Sequence, residues 1–559
     1  MSYQDKPWLK SYMLGPFKLK HSMEPYPEIN VYSFLEDAAR EYPDNVACVY
    51  ADEEITYPQL KDQVDRLASA MVALGIEKGE TVASVLPSCP EFIIIDYACM
   101  KIGAIHVPLS VLHKADDLLY EIKESNAELV FCSYRRLPRV NEIKPQTNVE
   151  KVIYAPTKLF PDYEYPEMEP VSEPGYHLFG DLLEQYEPHA EVVDINPRED
   201  IALLPFTGGT TGVPKGTMLT HYNLTTNVVQ TVHWMMDPLK AGIVGKAATA
   251  ICVPIFHTYG HWAIHASISW GLKMFLMDPR DMVKIVEVIN EYRPAIVFAV
   301  PAHYTIFCNM PLKKGQIFYY SAAAALPPEL AEEFEKIAGV PMGEGYGATE
   351  TSGGVSVNIS AFSKVTGFMK QVKRGVGVPL PDTDVKVIDP ETGEELPYGE
   401  TGELWVKGPQ CMLGYWPTPK SGLEEGGWIR MGDMVTVDND GYFTVVDRIK
   451  DMINVSGNKV YSRVIDDILH EHPAVEVAGV IGVPDPERPG SERVKAFVQL
   501  DHEYKGKVSE EDIIEFLRDK VKPYAVPKSV EFRDELPLTL IMKIHKKLLR
   551  EEELAKLEG

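Results

Sequence analysis

The chain has 559 residues, 45% of them hydrophobic and 25% charged, with a net charge of −27. That length exceeds one ordinary core and calls for at least two domains of a globular protein. The acidic balance argues against a broad nucleic-acid or anionic-membrane surface, yet leaves room for small anions held by local cations. Seven scattered cysteines, with no CxxC pair and no clustered histidine partners, indicate neither a disulfide frame nor zinc. No apolar run reaches spanning length, and the N-terminus lacks the basic-then-apolar order of a signal peptide. Cytoplasmic residence is therefore expected, with peripheral membrane contact and a homodimer left open.

In chain order, Tyr57–Leu74 reads as an amphipathic helix stopped by Gly75, and Glu80–Leu86 as a strand. This alternation predicts α/β layers. The apolar run Ile201–Leu204 then leads into Phe206-Thr-Gly-Gly-Thr-Thr-Gly-Val-Pro-Lys-Gly216. Glycines permit tight turns and close approach to a ligand. Threonine hydroxyls, backbone N–H groups and one ammonium suit a polyphosphate. Pro214-Lys215-Gly216 lacks the Gly-Lys-Ser/Thr order of a Walker A loop, so the segment is either a different nucleotide-phosphate loop or a Gly/Thr-rich surface turn. Gly345-Tyr-Gly-Ala-Thr-Glu350 offers an aromatic face for a purine and a hard carboxylate oxygen for Mg²⁺, or else a tight turn with a solvated glutamate.

After about Gly367 short strands take over: Val385–Ile388, Gly402–Lys407 and Gly441–Val446, separated by turn clusters. Between the last two, Trp428-Ile-Arg-Met-Gly-Asp433 supplies a carboxylate that is either a ribose acceptor or a plain turn aspartate. The charged run Arg448–Asp451 marks a domain boundary. Beyond it an α+β unit is expected, with helix Val464–His470, strands Val475–Val483 and Val494–Leu500, and a helix opened by the capping box Ser509–Asp512. Near the end, Lys543, His545, Lys546, Lys547 and Arg550 form a cationic cluster in an acidic chain.

In this order and spacing, from about Thr56 to Arg550, these segments resemble the adenylate-forming acyl-CoA synthetase family, with the closest likeness to long-chain fatty-acyl-CoA ligases. Thr207-Gly-Gly-Thr210, Val355–Asn358, Lys407–Gln410 with Met412–Trp416, and Val530–Pro537 carry the finer likeness. The resemblance implies an α/β fold: a large N-terminal domain of several subdomains, one β-rich (1–447), and a small mobile α+β domain (448–559). It implies that ATP and a carboxylate react to acyl-adenylate and diphosphate, and that CoA then displaces AMP. The acid is expected to be a medium- or long-chain fatty acid. The alternatives are an aryl or short-chain acid, or transfer to a carrier protein.

The resemblance also implies site residues. Thr207, Gly208, Gly209, Thr210, Thr211, Gly212 and Lys215 would hold the departing phosphates. Ala323 and Ala324, with Gly345, Tyr346, Gly347 and Ala348, would frame adenine. Thr349 would bind a phosphate and Glu350 the Mg²⁺. Asp433 and Arg448 would hold the ribose, and Lys543 would bridge carboxylate and α-phosphate. Lys450 would be the hinge between half-reactions, after which Ser456, Gly457 and Asn458 reach the thiol channel. His257, in Pro254–Gly260, would flank an acyl pocket opened by Gly353 and Gly354, with Tyr259 and Trp262 able to narrow it. The chain departs from the family pattern at Met542, where glycine usually precedes the lysine, and at Leu538, Met431, Ser462, Val464 and the alanine run Ser321–Leu326.

Overall fold

The computed structural model describes residues 3–14, 16–157, 169–208, 213–315, 317–361, 373–539 and 544–558. It is a mixed α/β protein with a large N-terminal and a smaller C-terminal part. Among the described residues, two nine-stranded sheets dominate the larger part. The first has a parallel centre: Thr81–Val85 lies between Ile105–Leu109 and Leu129–Ser133, followed outward by Lys151–Ala155 and Tyr176–Leu178. The three central strands are buried at every residue, as continuous apolar runs are when helices cover both faces. The second sheet orders Met342–Tyr346, Phe318–Ser321, Ile296–Ala299, Ala248–Ile251, Lys273–Leu276 and Val46–Tyr50 in parallel.

A helical layer separates the sheets. Helix Pro90–Ile102 packs on the first and helix Thr258–Ser269 on the second. Both are buried along nearly their whole length. The expected helix after Thr56 spans Tyr57–Ala73, closed at its start by a capping box between Thr56 and Gln59. It ends where Gly75 takes φ +91°, a conformation that suits glycine.

The β-rich subdomain is a four-stranded antiparallel sheet of Asp384–Ile388, Gly402–Lys407, Ile429–Val437 and Phe443–Arg448. The Gly367 end of this texture lies outside the described residues. Gly441, read as strand, is instead a turn residue at φ +83°.

The N-terminal segment, for which the sequence carried no expectation, lies across this sheet and its approach. Tyr12 donates its hydroxyl to Pro379 O at 2.8 Å, Ser11 to Asp440 O at 2.9 Å, and Tyr26 to Asp382 Oδ2 at 2.6 Å. Trp8 is 1% exposed. A Cβ at Gly441 would come within 2.4 Å of the Trp8 Cβ, so only glycine permits this approach.

Beyond Arg448 a short 3₁₀ turn, Ile449–Asp451, leads to the hairpin Ile453–Val455/Asn458–Val460. A three-stranded sheet of Val475–Pro484, Glu492–Leu500 and Ser529–Phe532 follows, with helices Ser462–His470, Glu510–Arg518 and Lys546–Glu558. The capping box Ser509/Asp512 is formed as the sequence indicated.

Candidate active site

The Gly/Thr-rich segment is flanked by a hairpin. Strand Phe206–Gly208 pairs with Pro214–Thr220, setting Thr207 opposite Lys215. Gly209, Thr210, Thr211 and Gly212 lie outside the described residues. On its other side the second strand pairs with Gly414–Tyr415, in the register Thr217–Tyr415. A cleft beside the hairpin is lined by Tyr120, Phe206, Lys215, Tyr415 and Trp416.

Tyr415 is the side chain that sequence reasoning passed over. Its hydroxyl donates to Glu350 Oε1 at 2.9 Å, and the Lys215 ammonium stands 5.2 Å from its ring centroid. The Met412 amide donates to the Glu350 carbonyl at 2.8 Å. Glu350, in the short 3₁₀ turn Thr349–Thr351, is thus tied to the same strand pair that carries Lys215. It is half-buried rather than a solvated turn carboxylate.

The Gly345–Glu350 segment begins as strand Met342–Tyr346. A Cβ at Gly347 would meet Gly353 O at 2.2 Å, so these backbones touch. Tyr346 donates its hydroxyl to Asp433 Oδ2 at 2.6 Å, and Arg448 Nε donates to Asp433 Oδ1 at 2.8 Å. Asp433 and Arg448 face each other across adjacent strands. Asp433 is buried within a strand, which removes the turn-aspartate alternative. The neighbouring Asp433 carboxylate holds the Arg448 guanidinium above its usual range, while burial and Arg448 hold the Lys450 ammonium below its own. Burial and the Asp433 charge raise the Tyr346 phenol, so it stays a hydrogen-bond donor. Lys450 lies in the turn Ile449–Asp451, whose Asp451 accepts from Arg550 at 2.8 Å.

The alanine run follows strand Phe318–Ser321, and Ala323 takes φ +65°, a left-handed conformation uncommon for a residue with a Cβ. Beneath it, burial pushes the Glu344 carboxyl up to about 7.

His257 caps helix Thr258–Ser269, accepting the Tyr259 amide on Nδ1 at 3.3 Å. Gly353, at φ +105°, lies against the first turn of that helix; a Cβ there would sit 3.1 Å from Thr258 O and 3.4 Å from the Trp262 Cβ. Asn227 Nδ2 donates to Gly354 O at 3.1 Å. Tyr259 and Trp262 stack with centroids 6.3 Å apart, beside Phe298 and Tyr320. The structure therefore brings His257 and Gly353 to the first turn of this helix beside an aromatic wall, with Gly354 against Asn227.

Ser456 and Gly457, at φ +51° and +86°, form the two-residue turn of the hairpin after the boundary, with Asn458 opening its second strand. Lys543 and Met542 lie outside the described residues, as do the other members of 540–543.

The structure thus sets out a hairpin carrying Lys215, the Glu350 carboxylate beside it, and the Asp433–Arg448 pair next to Tyr346. The family model for the AMP-binding enzyme matches residues 35–416, and that for the AMP-binding enzyme C-terminal domain matches residues 464–543. A long-chain-fatty-acid–CoA ligase of Bacillus subtilis is 32% identical over 98% of each chain. A feruloyl-CoA synthase of Amycolatopsis is 30% identical over 90% of this chain and 94% of its own. Among solved structures, ATP-bound MatB from Rhodopseudomonas palustris superposes with a TM-score of 0.81 at 27% identity, covering 94% of this chain and 99% of that one. The chain belongs to the AMP-binding, adenylate-forming acyl-CoA synthetase family. It is an AMP-forming acid–CoA ligase, with ATP and CoA as substrates.

Proposed function

We propose that the acid is a medium- or long-chain fatty acid. The observation that carries this is the 32% identity, over 98% of each chain, to the Bacillus subtilis long-chain-fatty-acid–CoA ligase. A carboxylate resists attack because charge and resonance stabilise it. One of its oxygens attacks the α-phosphorus, the bond to the β-phosphate breaks, and diphosphate leaves. The CoA sulfur then attacks the acyl carbon, the bond to AMP breaks, and the thiol proton passes to solvent. Both steps need neutralised charge and fixed position more than covalent help from the protein.

In this reading Thr207, Gly208, Gly209, Thr210, Thr211, Gly212 and Lys215 hold the departing phosphates, and Thr349 binds one of them. Ala323, Ala324 and Gly345–Ala348 frame adenine. Asp433 and Arg448 hold the ribose, and Lys543 bridges the reacting oxygens. The domains divide at 447/448 and turn about Lys450, bringing Ser456, Gly457 and Asn458 to the thiol. Glu350 suits a Mg²⁺ ion, since it presents a hard carboxylate oxygen held in place by Tyr415. Such an ion would neutralise phosphate charge.

Tyr415→Phe removes one hydrogen bond to a charged group, about 1.5–3 kcal/mol or roughly tenfold to a hundredfold. The Mg²⁺ concentration for half-maximal adenylation is expected to rise by that factor with the acid KM unchanged. An unaltered Mg²⁺ dependence would show that Tyr415 does not position Glu350.

The aromatic wall of Tyr259, Trp262, Phe298 and Tyr320 favours a second reading, an aryl acid stacked against those rings. AMP release from saturated acids of graded length, beside benzoate- and cinnamate-type acids, separates the two. Turnover confined to the aryl acids would end the fatty-acid reading. Diphosphate release with no CoA thioester formed would favour a carrier protein as acceptor.

A further inference from the structure

Four ionisable side chains that take no part in this site converge in the helical layer between the two large sheets. Asp96 comes from helix Pro90–Ile102, His261 and His265 from helix Thr258–Ser269, and His106 from strand Ile105–Leu109. None is more than 1% exposed. His106 Nδ1 and His261 Nε2 both point at Asp96 Oδ1, at 2.6 and 3.1 Å. The other carboxylate oxygen, Oδ2, faces His265 Nε2 at 3.6 Å, beyond hydrogen-bond reach. Both atoms are buried and without a hydrogen-bond partner. Unpaired polar atoms at this depth are costly, and so are buried charges lacking a counterpart.

The outer nitrogens of two of the rings are engaged by hydroxyls: His265 Nδ1 by Tyr97 and His106 Nε2 by Ser84, each at 2.8 Å. A hydrogen bond on one ring nitrogen orients the other, which is how metal-ligating histidines are held. His261 and His265, one helical turn apart, present their rings on the same helix face. Ligand atoms 2.0–2.1 Å from a tetrahedral ion stand about 3.3 Å from each other. Asp96 Oδ1 stands 3.1 Å from His261 Nε2 and Oδ2 stands 3.6 Å from His265 Nε2, each near that value, and one ligand atom from each of the three residues lies within 4.8 Å of the others.

We infer that Asp96, His261 and His265, with a water as fourth ligand, bind one divalent transition-metal ion of the zinc class that pins helix Pro90–Ile102 to helix Thr258–Ser269. Two imidazoles and one carboxylate suit zinc or its neighbours rather than Mg²⁺ or Ca²⁺, which take oxygen ligands. The cysteine pattern spoke against zinc for want of histidines clustered beside it; here no thiolate takes part, and the fold brings Asp96 to His261, 165 positions away, and to His265 on the same helix. His106, backed by Ser84, steadies the carboxylate from the first sheet. Helix Thr258–Ser269 also carries Tyr259 and Trp262, so the ion would hold the aromatic wall in place from behind.

The test uses the full chain, purified without chelator or nucleotide. Elemental analysis is expected to find about one zinc per chain that survives dialysis. Protein produced in cobalt-supplemented medium is expected to show the visible bands of four-coordinate Co²⁺ with nitrogen ligands. An all-oxygen, Mg²⁺-exchangeable site at Glu350 would be six-coordinate and nearly colourless. His265→Gln and Asp96→Asn are expected to lose the metal and the bands. Should either fail to fold, His261→Met/His265→Met fills the space with apolar volume and is read the same way. Folded wild-type protein that takes up neither zinc nor cobalt would overturn the inference, as would His265→Gln retaining the metal in full.

Discussion

Lys543→Ala is expected to slow acyl-adenylate formation by about 10²–10³-fold, the scale on which one well-aimed electrostatic donor acts in acyl transfer. Thioester formation from supplied acyl-adenylate and CoA is expected to stay near wild type, because in the proposed cycle the tail lysine serves only the first half-reaction. The segment's described flanks are well anchored. Leu538 pairs with Ile544, and His545 donates its amide to Pro537 O at 2.8 Å. Lys546 reaches Asp466 Oδ2 at 2.6 Å, and Arg550 reaches Asp451 at 2.8 Å beside Lys450. These contacts hold the described residues on either side of 540–543 to the C-terminal part, which in the proposed cycle turns about Lys450. Pyrophosphate release and thioester formation, measured separately, check it. Equal loss of both would remove the assigned role.

Asp433→Ala is expected to raise the ATP KM by about tenfold to a hundredfold while leaving the acid KM unchanged. The carboxylate holds Tyr346 at 2.6 Å and Arg448 at 2.8 Å, so its loss frees both side chains that the proposed function assigns to the nucleoside. In the proposed site the change also removes a charged acceptor of the ribose hydroxyls, a loss of about 1.5–3 kcal/mol in binding. Each 1.4 kcal/mol is about tenfold in affinity. An unchanged ATP KM would count against ribose binding here.

Much of the architecture was legible because the periodicities are clean. Thr81–Val85 and Val475–Pro484 stand within one residue of their expected bounds, and the Ser509 cap forms as written. The site was legible wherever chemistry is concentrated in one segment. Tyr415 escaped notice because its partner, Glu350, lies 65 positions away, and strand pairing alone brings them together. The Asp96 cluster escaped for the same reason: His261 is 165 positions from Asp96. Only the His261/His265 spacing could have hinted at it. The Gly/Thr segment was read as a loop because its glycines hide the pairing of Phe206–Gly208 with Pro214–Thr220.

The N-terminal segment bears on how the molecule is assembled during synthesis. Tyr12 finds its acceptor 367 positions downstream, and Ser11 finds its own 429 positions downstream. Residues 8–12 therefore cannot complete these contacts until the strands near Pro379 and Asp440 have emerged. Closing so long a loop adds little entropy beyond that of a shorter one, since the cost grows only logarithmically, but it sets the order of events. The two large sheets can form first, and Trp8 is seated against Gly441 afterwards, as a late latch on a nearly finished body.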